Sequence, residues 1–421
     1  MPEISGETLR AWRRSRGWDV PEMARQLRKA AGNDPVPAHD ALVRMIYRWE
    51  RLGLKTERYE LLYLKLGTGT PHPRRAATQP EAPAVADGPG VLDELVGHAV
   101  EFGRWAETTN VGSGTVDLLD DAIHRIAREY LTTPPGPLLR RAGDVASRVF
   151  ELLQEHQRLR HTRDLYVTGA KCCAFLAWAA GDLGQLAAAA AHGRTALILA
   201  EEAGHPGAEA LALCALSKTS YWDGHAGRAA ALARRGYEVC PPNTTRILLA
   251  CQEADAESAP GARVAIDRAR QAREDTAVDD DLAGIFSCGD VRLANYAAST
   301  YLKTEDPDSA LRAADAARPR PGEGVGYGTW GQIHISAGIA YLMRDEPDGT
   351  ADRLEPVLAL PPGRRLATLT GRLSTLTPAL TGGRYRSDPG ARALAGQISA
   401  YCDEAAGAMR LALPAGEERT G

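Results

Sequence analysis

Four stretches of this chain repeat one order of residues: a helix ending in aromatics, a short turn of Gly, Asp or Pro, then an Ala-rich helix. They are WAAGDLGQLAAAAAHGRTAL from Trp178, YWDGHAGRAAALARRG from Tyr221, YLKTEDPDSALRAADAAR from Tyr301 and YLMRDEPDGTADRLEPVL from Tyr341. Their turns, near Gly181, Asp223, Glu305 and Glu346, are spaced by 42, 82 and 41 residues. The double interval contains ESAPGARVAIDRARQAR (257–273), which supplies a turn near Gly261. One helical hairpin cannot bury its own apolar face, so hairpins recurring every 40 residues or so must stack and share a continuous core. The fold class that follows is all-α, with an α-solenoid of about five repeats between residues 165 and 410 and a weak sixth pair at the end. Alternating β-branched runs, the mark of strands, are absent.

At 421 residues the chain is too long for one ordinary core. The stretch GTGTPHPRRAATQPEAPAVADGPG (67–90) has little that can pack and reads as a linker over 68–90. It separates a compact head, residues 1–67, from a helical body, residues 91–413. Residues 91–160 carry helices that begin the repeat array or bridge to it. Charge is divided in the same place. Residues 1–70 hold 13 Lys and Arg against 9 Asp and Glu, while the whole chain has a formal net charge of −4. A basic end on an acidic body points to a head that meets a polyanion.

In the head, SGETLRAWRRSRG (5–17) gives a first helix with Ser5 as N-cap and Gly17 as stop. In DVPEMARQLRKAAG (19–32), Asp19 caps and Glu22 completes a capping box. Val20, Met23, Ala24 and Leu27 then form one apolar stripe. The third helix lies in NDPVPAHDALVRMIYRWERLG (33–53): Leu42, Ile46 and Trp49 make its apolar face, with Asp40, Arg44, Tyr47, Arg48 and Arg51 opposite. ERYELLYLKLG (57–67) closes the bundle with Tyr59, Leu62, Tyr63 and Leu66.

GWDVPEMARQL and RWERLG resemble the second helix and the end of the recognition helix in the Xre/Cro/CI-type helix-turn-helix family, over about residues 7–67. The connection RKAAGNDPVPAHDAL is about ten residues longer than that family's short turn. The repeats resemble a degenerate tetratricopeptide-like array. The two together resemble a set of regulators in Streptomyces and related actinobacteria, with which EFGRWAETTNVGSGTVDLLDDAI and RLEPVLALPPGRRLATLTGRL are associated. The resemblance implies a sequence-specific DNA-binding transcriptional regulator whose body dimerises, senses a ligand, or both.

An arginine on such a helix can grip guanine with two hydrogen bonds, and a tyrosine can reach a base edge or a phosphate. Arg44, Tyr47 and Arg48 form the expected groove-facing set, His39 and Asp40 lie at the helix start, and Arg51 and Lys55 suit phosphate contacts. The bland alternative is a solvated basic face. The partner is double-stranded DNA with an inverted-repeat operator, bound by a homodimer, because one small module makes too few contacts alone.

The inner face of a curved array is a groove lined by the first helix of each pair. Lys218, Tyr221, Trp222, Arg292, Asn295, Tyr296, Trp330 and His334 are its candidate ligand-binding residues, with Tyr166 and Lys171 on the same set of helices. The effector is a peptide or a small molecule, and Lys218, Arg292 and Asn295 suit the holding of an extended backbone. Repeat packing is the alternative for the aromatics, solvent exposure for the polar residues.

PGEGVGYGTWG (321–331) lacks the Lys-Ser/Thr of a phosphate loop and reads as an inter-repeat loop. The seven cysteines form no C-x-x-C pair and read as small buried hydrophobes. No metal site, cofactor or catalytic constellation is expected, and an enzyme is the least favoured class. No run of 18 apolar residues and no signal-peptide pattern is present, so the expectation is a cytoplasmic protein with no membrane partner. The competing reading is a protein–protein adaptor whose head docks a partner instead of DNA.

Overall fold

The computed structural model describes residues 6–31, 36–54, 59, 62, 63, 66, 89–317 and 326–412. The chain divides into two compact units, residues 1–88 and 89–421. Ser5, the 32–35 part of the long connection, Lys55 and residues 67–88 of the linker lie outside the described residues. Helix begins at Pro89, so the last two linker residues belong to the body.

The head contains α1 (Gly6–Ser15), α2 (Val20–Ala31) and α3 (His39–Leu52). Gly17, at φ +68, ends α1 in the left-handed region that glycine enters without strain. Asp19 caps α2: the Glu22 amide donates to Asp19 Oδ1 at 2.6 Å. The return arm of the capping box does not form. Glu22 instead accepts from Arg25 at 2.7 Å and Gln26 at 2.7 Å, which occupy both of its oxygens one turn on. Part of the extra length before α3 extends α2 to Ala31, and the rest is the connection 32–38.

Leu9, Met23, Leu27, Leu42, Ile46 and Trp49 are buried together with Tyr59, Leu62 and Tyr63. One charged pair is sealed into this small core. Arg13 grips Glu50 with Nε to Oε1 at 2.6 Å and Nη2 to Oε2 at 3.0 Å, which fastens α1 to α3. A carboxylate buried this deeply needs such a two-point partner.

The body opens with α4 (Pro89–Glu107), α5 (Ser113–Glu129) and α6 (Pro135–Leu153). Five hairpins follow: α7 (Leu159–Asp182) with α8 (Leu186–Ala203), α9 (Pro206–Trp222) with α10 (Ala226–Val239), and α11 (Thr244–Ala256) with α12 (Ala259–Glu274). The fourth and fifth are α13 (Asp290–Lys303) with α14 (Pro307–Ala316), and α15 (Tyr327–Met343) with α16 (Pro347–Leu358). The array ends in α17 (Ala367–Ser374), α18 (Thr377–Thr381) and α19 (Pro389–Ala412). Each first helix packs on its partner and on the first helix of the next pair, as stacked hairpins must. Among the described residues there is no β-strand, and no helix is long and apolar enough to cross a membrane.

Four hairpins turn in the same way. Gly184, Gly224, Glu305 and Asp345 have φ of 73, 79, 56 and 66°. The next amide reaches back to the carbonyl five residues earlier: Gln185 to Ala180 at 2.9 Å, His225 to Ser220 at 2.9 Å, Asp306 to Tyr301 at 3.0 Å and Glu346 to Tyr341 at 2.9 Å. These bonds satisfy carbonyls that the helix end leaves open. The third hairpin differs. Its turn is the two residues Glu257 and Ser258, and Gly261, the turn expected from the sequence, lies inside α12.

The array closes on itself. α17 touches the C-terminal end of α7, where a Cβ on Gly184 would sit 3.3 Å from the Ala367 methyl. Alongside, the Tyr327 amide donates to the Leu131 carbonyl at 3.3 Å and Arg364 to that of Thr132 at 3.4 Å. The segment 275–289 between α12 and α13 packs inward: Leu282, Ile285 and Phe286 are buried. Gly284 passes so near α5 that a Cβ would meet the Ala127 carbonyl oxygen at 2.2 Å, which only glycine allows. The expected open groove is therefore a cavity, walled by the first helices and bounded by α5, this segment and α17.

Candidate functional site

Two surfaces stand out, one in each unit. On α3, Leu42, Ile46 and Trp49 are buried, while Asp40, Arg44, Tyr47, Arg48 and Arg51 are exposed and His39 is half-buried. The 3.6-residue period produces this division. Tyr47 is 59% exposed, high for an aromatic. Arg44, Arg48 and Arg51 have no hydrogen-bond or ion-pair partner among the described residues. Lys55 lies outside those residues.

The second surface is a cavity of about 480 Å³ inside the closed array. Asp182, only 4% exposed, is its hub. Tyr130 donates to Asp182 Oδ2 at 2.7 Å, and Lys218 Nζ to Oδ1 at 2.7 Å. The Thr368 hydroxyl lies 3.4 Å from Oδ1. One carboxylate thus ties the end of α5 to α7, α9 and α17. Burial pushes the Lys218 ammonium down, and Asp182 opposes the shift. Lys218 Nζ also sits 4.1 Å from the centre of the Trp178 ring, and the Arg292 guanidinium lies 5.1 Å from it. Phe286 meets the same ring edge-on at 5.3 Å.

Across the cavity, Ser299 donates to Asp255 Oδ1 at 2.8 Å, and Lys303 Nζ to the carbonyls of Ala254 at 3.0 Å and Glu257 at 3.3 Å and also of Asp255. Arg372 Nη1 donates to Gln332 Oε1 at 2.9 Å, and Gln332 Nε2 to the Thr368 carbonyl at 3.0 Å. The nearby Asp255 charge and burial raise the Tyr221 hydroxyl to about 12, so it stays a neutral donor. Some buried polar atoms on the wall have no oxygen or nitrogen partner among the described residues: Asn295 Oδ1, Tyr327 Oη and the Gln252 amide, which lies beside the Cys214 thiol. Burial pushes Cys214 up to about 12, which leaves it protonated and unreactive. Among the described residues no three His, Cys, Asp or Glu side chains gather as metal ligands do.

Of the residues expected in the groove, Lys218, Tyr221, Trp222, Arg292, Asn295 and Tyr296 line the cavity. Trp330 and His334 do not. Their rings pack on each other, tilted by 50° with centroids 4.6 Å apart, and Trp330 packs against the α15–α19 core. Their places on α15 face the packing side, while Thr329 and Gln332 face inward. Lys171 pairs with Asp120 at 2.8 Å, and Tyr166 is half-buried outside the lining. The glycine run is no loop at its second half: Tyr327, Gly328 and Thr329 are the first turn of α15 and line the cavity.

Sequence reasoning missed Tyr130, Trp178, Asp182, Gln252, Asp255, Lys303 and Arg372. Most carry a signal visible once the repeats are aligned on their turns. Two residues before the turn position stand Asp182, Trp222, Asp255, Lys303 and Met343, and all but Met343 line the cavity. Six before it stand Trp178, Lys218, Cys251, Ser299 and Ile339, and all but Cys251 do so as well. Tyr130 and Arg372 lie outside the repeats and carry no such signal. Compared with models of known families, with curated proteins and with solved structures, the chain matches none.

Proposed function

We propose that this protein is a sequence-specific DNA-binding transcriptional regulator, acting in the cytoplasm, in which α3 enters the major groove and the helical body senses a small molecule. One observation supports the DNA reading above all others. A helix fastened by Leu42, Ile46 and Trp49 turns to solvent an exposed tyrosine and three arginines with no partner among the described residues. Elsewhere many of this chain's arginines are matched by carboxylates, and an unmatched row suits a polyanion. In this reading Arg44, Tyr47 and Arg48 meet base edges, and His39, Asp40, Arg51 and Lys55 flank them at the backbone. The tetratricopeptide-like organisation of the body and the helix-turn-helix character of the head belong to the same proposal.

The size of the cavity supports a small-molecule effector over a peptide. Its volume lies within the range that small ligands fill. The dimer rests on geometry of another kind: α4 exposes Val96 and Val100 on one side and Phe102 and Trp105 on the other. A second copy packed on these four exposed apolar side chains would cover them and provide the second half-site.

Capture of fragmented genomic DNA by the purified full-length protein tests this function. The expected outcome is a small set of enriched sites sharing an inverted repeat with half-sites one helical turn apart or a multiple of it. Absence of enrichment, together with a stable protein partner in a pull-down, would instead support an adaptor.

A further inference from the structure

The polar groups around the cavity are out of balance in one direction. Asp182 accepts from Tyr130 on one oxygen and is neutralised by Lys218 on the other, and Asp255 has Ser299 bonded to it and the Lys303 charge nearby. Arg292 and Arg372 have no carboxylate partner among the described residues. Arg292 Nη1 donates to the Ile285 and Ser287 carbonyls at 2.6 and 2.9 Å, and Arg372 Nη1 to the neutral Gln332. A guanidinium has five N–H donors, so both keep uncommitted ones. Gln252 and Asn295, 6% and 7% exposed, add unpartnered amide atoms to the same wall. Native cores leave few such atoms unpaired, and a concentration of them in one cavity marks where a ligand supplies the missing partners.

The aromatic faces set the rest of the ligand. Trp178, Tyr221, Trp222, Tyr296 and Tyr327 give the cavity flat apolar walls beside the two arginines. We propose that the cavity binds a small organic anion, with an acidic group held by Arg292 and Arg372 and a ring-bearing apolar body against these aromatics. Carboxylate and phosphate share the chemistry that two guanidiniums recognise. The inference rests on the sensing role of the body proposed above, and gives its effector a chemical class.

Titration calorimetry on the full-length, DNA-free protein tests it with four probes of similar shape: indole-3-acetate, phenyl phosphate, the neutral indole-3-acetamide and the cationic tryptamine. At least one acid is expected to bind at millimolar concentration or below, with amide and amine weaker by about tenfold or more, the size of one charge-assisted hydrogen bond. The acid that binds identifies the anionic group. Arg372→Met is expected to weaken that acid by a similar factor with an unchanged melting temperature. Arg292→Met serves as a second variant, read only where it melts as the parent does, since Arg292 also anchors the 275–289 segment. Equal binding of the neutral probe, no binding of either acid, or no effect of Arg372→Met would each overturn the inference. The outcome is separable from the proposed function. Acid binding that leaves DNA retention unaltered would keep the inference and remove ligand control, whereas DNA retention without acid binding would remove the inference alone.

Discussion

The arginines of α3 and those of the repeats have the same chemistry and opposite circumstances. In the body, Arg234 and Arg268 close on the buried Glu253, Arg235 bridges Glu201 and Glu209, and Arg353 reaches Asp315. Many of these links join one hairpin to the next, so charge there is spent on register. In the head, Arg13 does the same for Glu50, yet Arg44, Arg48 and Arg51 meet no carboxylate among the described residues. A solvated guanidinium costs little to leave unpaired, so stability alone does not require the row. Its arrangement on the face opposite Ile46 and Trp49 makes sense for a surface that is completed by another molecule.

The comparison yields graded expectations. Arg44→Ala with Arg48→Ala should lower specific DNA affinity by about 100-fold or more while leaving the melting temperature in place, read by gel shift and thermal unfolding. A loss of stability with unchanged binding would make these arginines structural, like those of the body. Glu253→Ala should do the reverse. It removes a carboxylate, 2% exposed, that joins α10 to α11 and α12, and should cost about 1 kcal/mol in denaturant unfolding, since both arginines stay partly solvated and Arg234 keeps Glu257, with no change in DNA affinity.

A smaller effect depends on pH. Burial works against ionisation of Asp120, but the hydrogen bond from His124 and the Lys171 charge outweigh it and bring the carboxyl down to about 2. The same hydrogen bond raises His124. The Asp120 contribution is therefore present above its unfolded value near 4 and lost as pH falls toward 2, and the His124 contribution is present below about 6.5 and lost as pH rises through its raised folded value. Body stability from this cluster should peak between about pH 4 and 6.5, and His124→Asn should flatten the decline on the alkaline side of the thermal-stability profile. The smallest effect belongs to the exposed Arg344–Asp308 pair, where Arg344→Ala should leave the unfolding midpoint unchanged within error.

The architecture was readable because helical hairpins announce themselves locally. Aromatic ends, short turns and Ala-rich second helices recur every 40 residues or so, and five of the expected pairs are present. The third turn was misplaced because Ala-Pro-Gly looks like punctuation. Pro260 in fact occupies the first turn of α12, where a missing N–H costs nothing, and the true turn is the inconspicuous Glu257–Ser258. The cavity was only half legible. Lys218, Trp222 and Arg292 are odd residues in Ala-rich helices and invite notice, whereas Asp182 and Lys303 look like ordinary helix-end charges. Closure was not legible at all. It depends on α17 meeting α7 across some 190 residues of chain and on an acidic segment folding Ile285 and Phe286 inward, and no local period encodes either. On α3, the split between buried and exposed faces followed directly from spacing.

Salt dependence of DNA binding separates the two kinds of arginine most directly. For the full-length protein on its captured site, log affinity should fall steeply and linearly with log salt concentration, and the Arg51→Ala variant should show a slope shallower by about 1, for the one phosphate contact removed. A variant that keeps both the parent slope and the parent affinity would contradict a nucleic-acid role for α3.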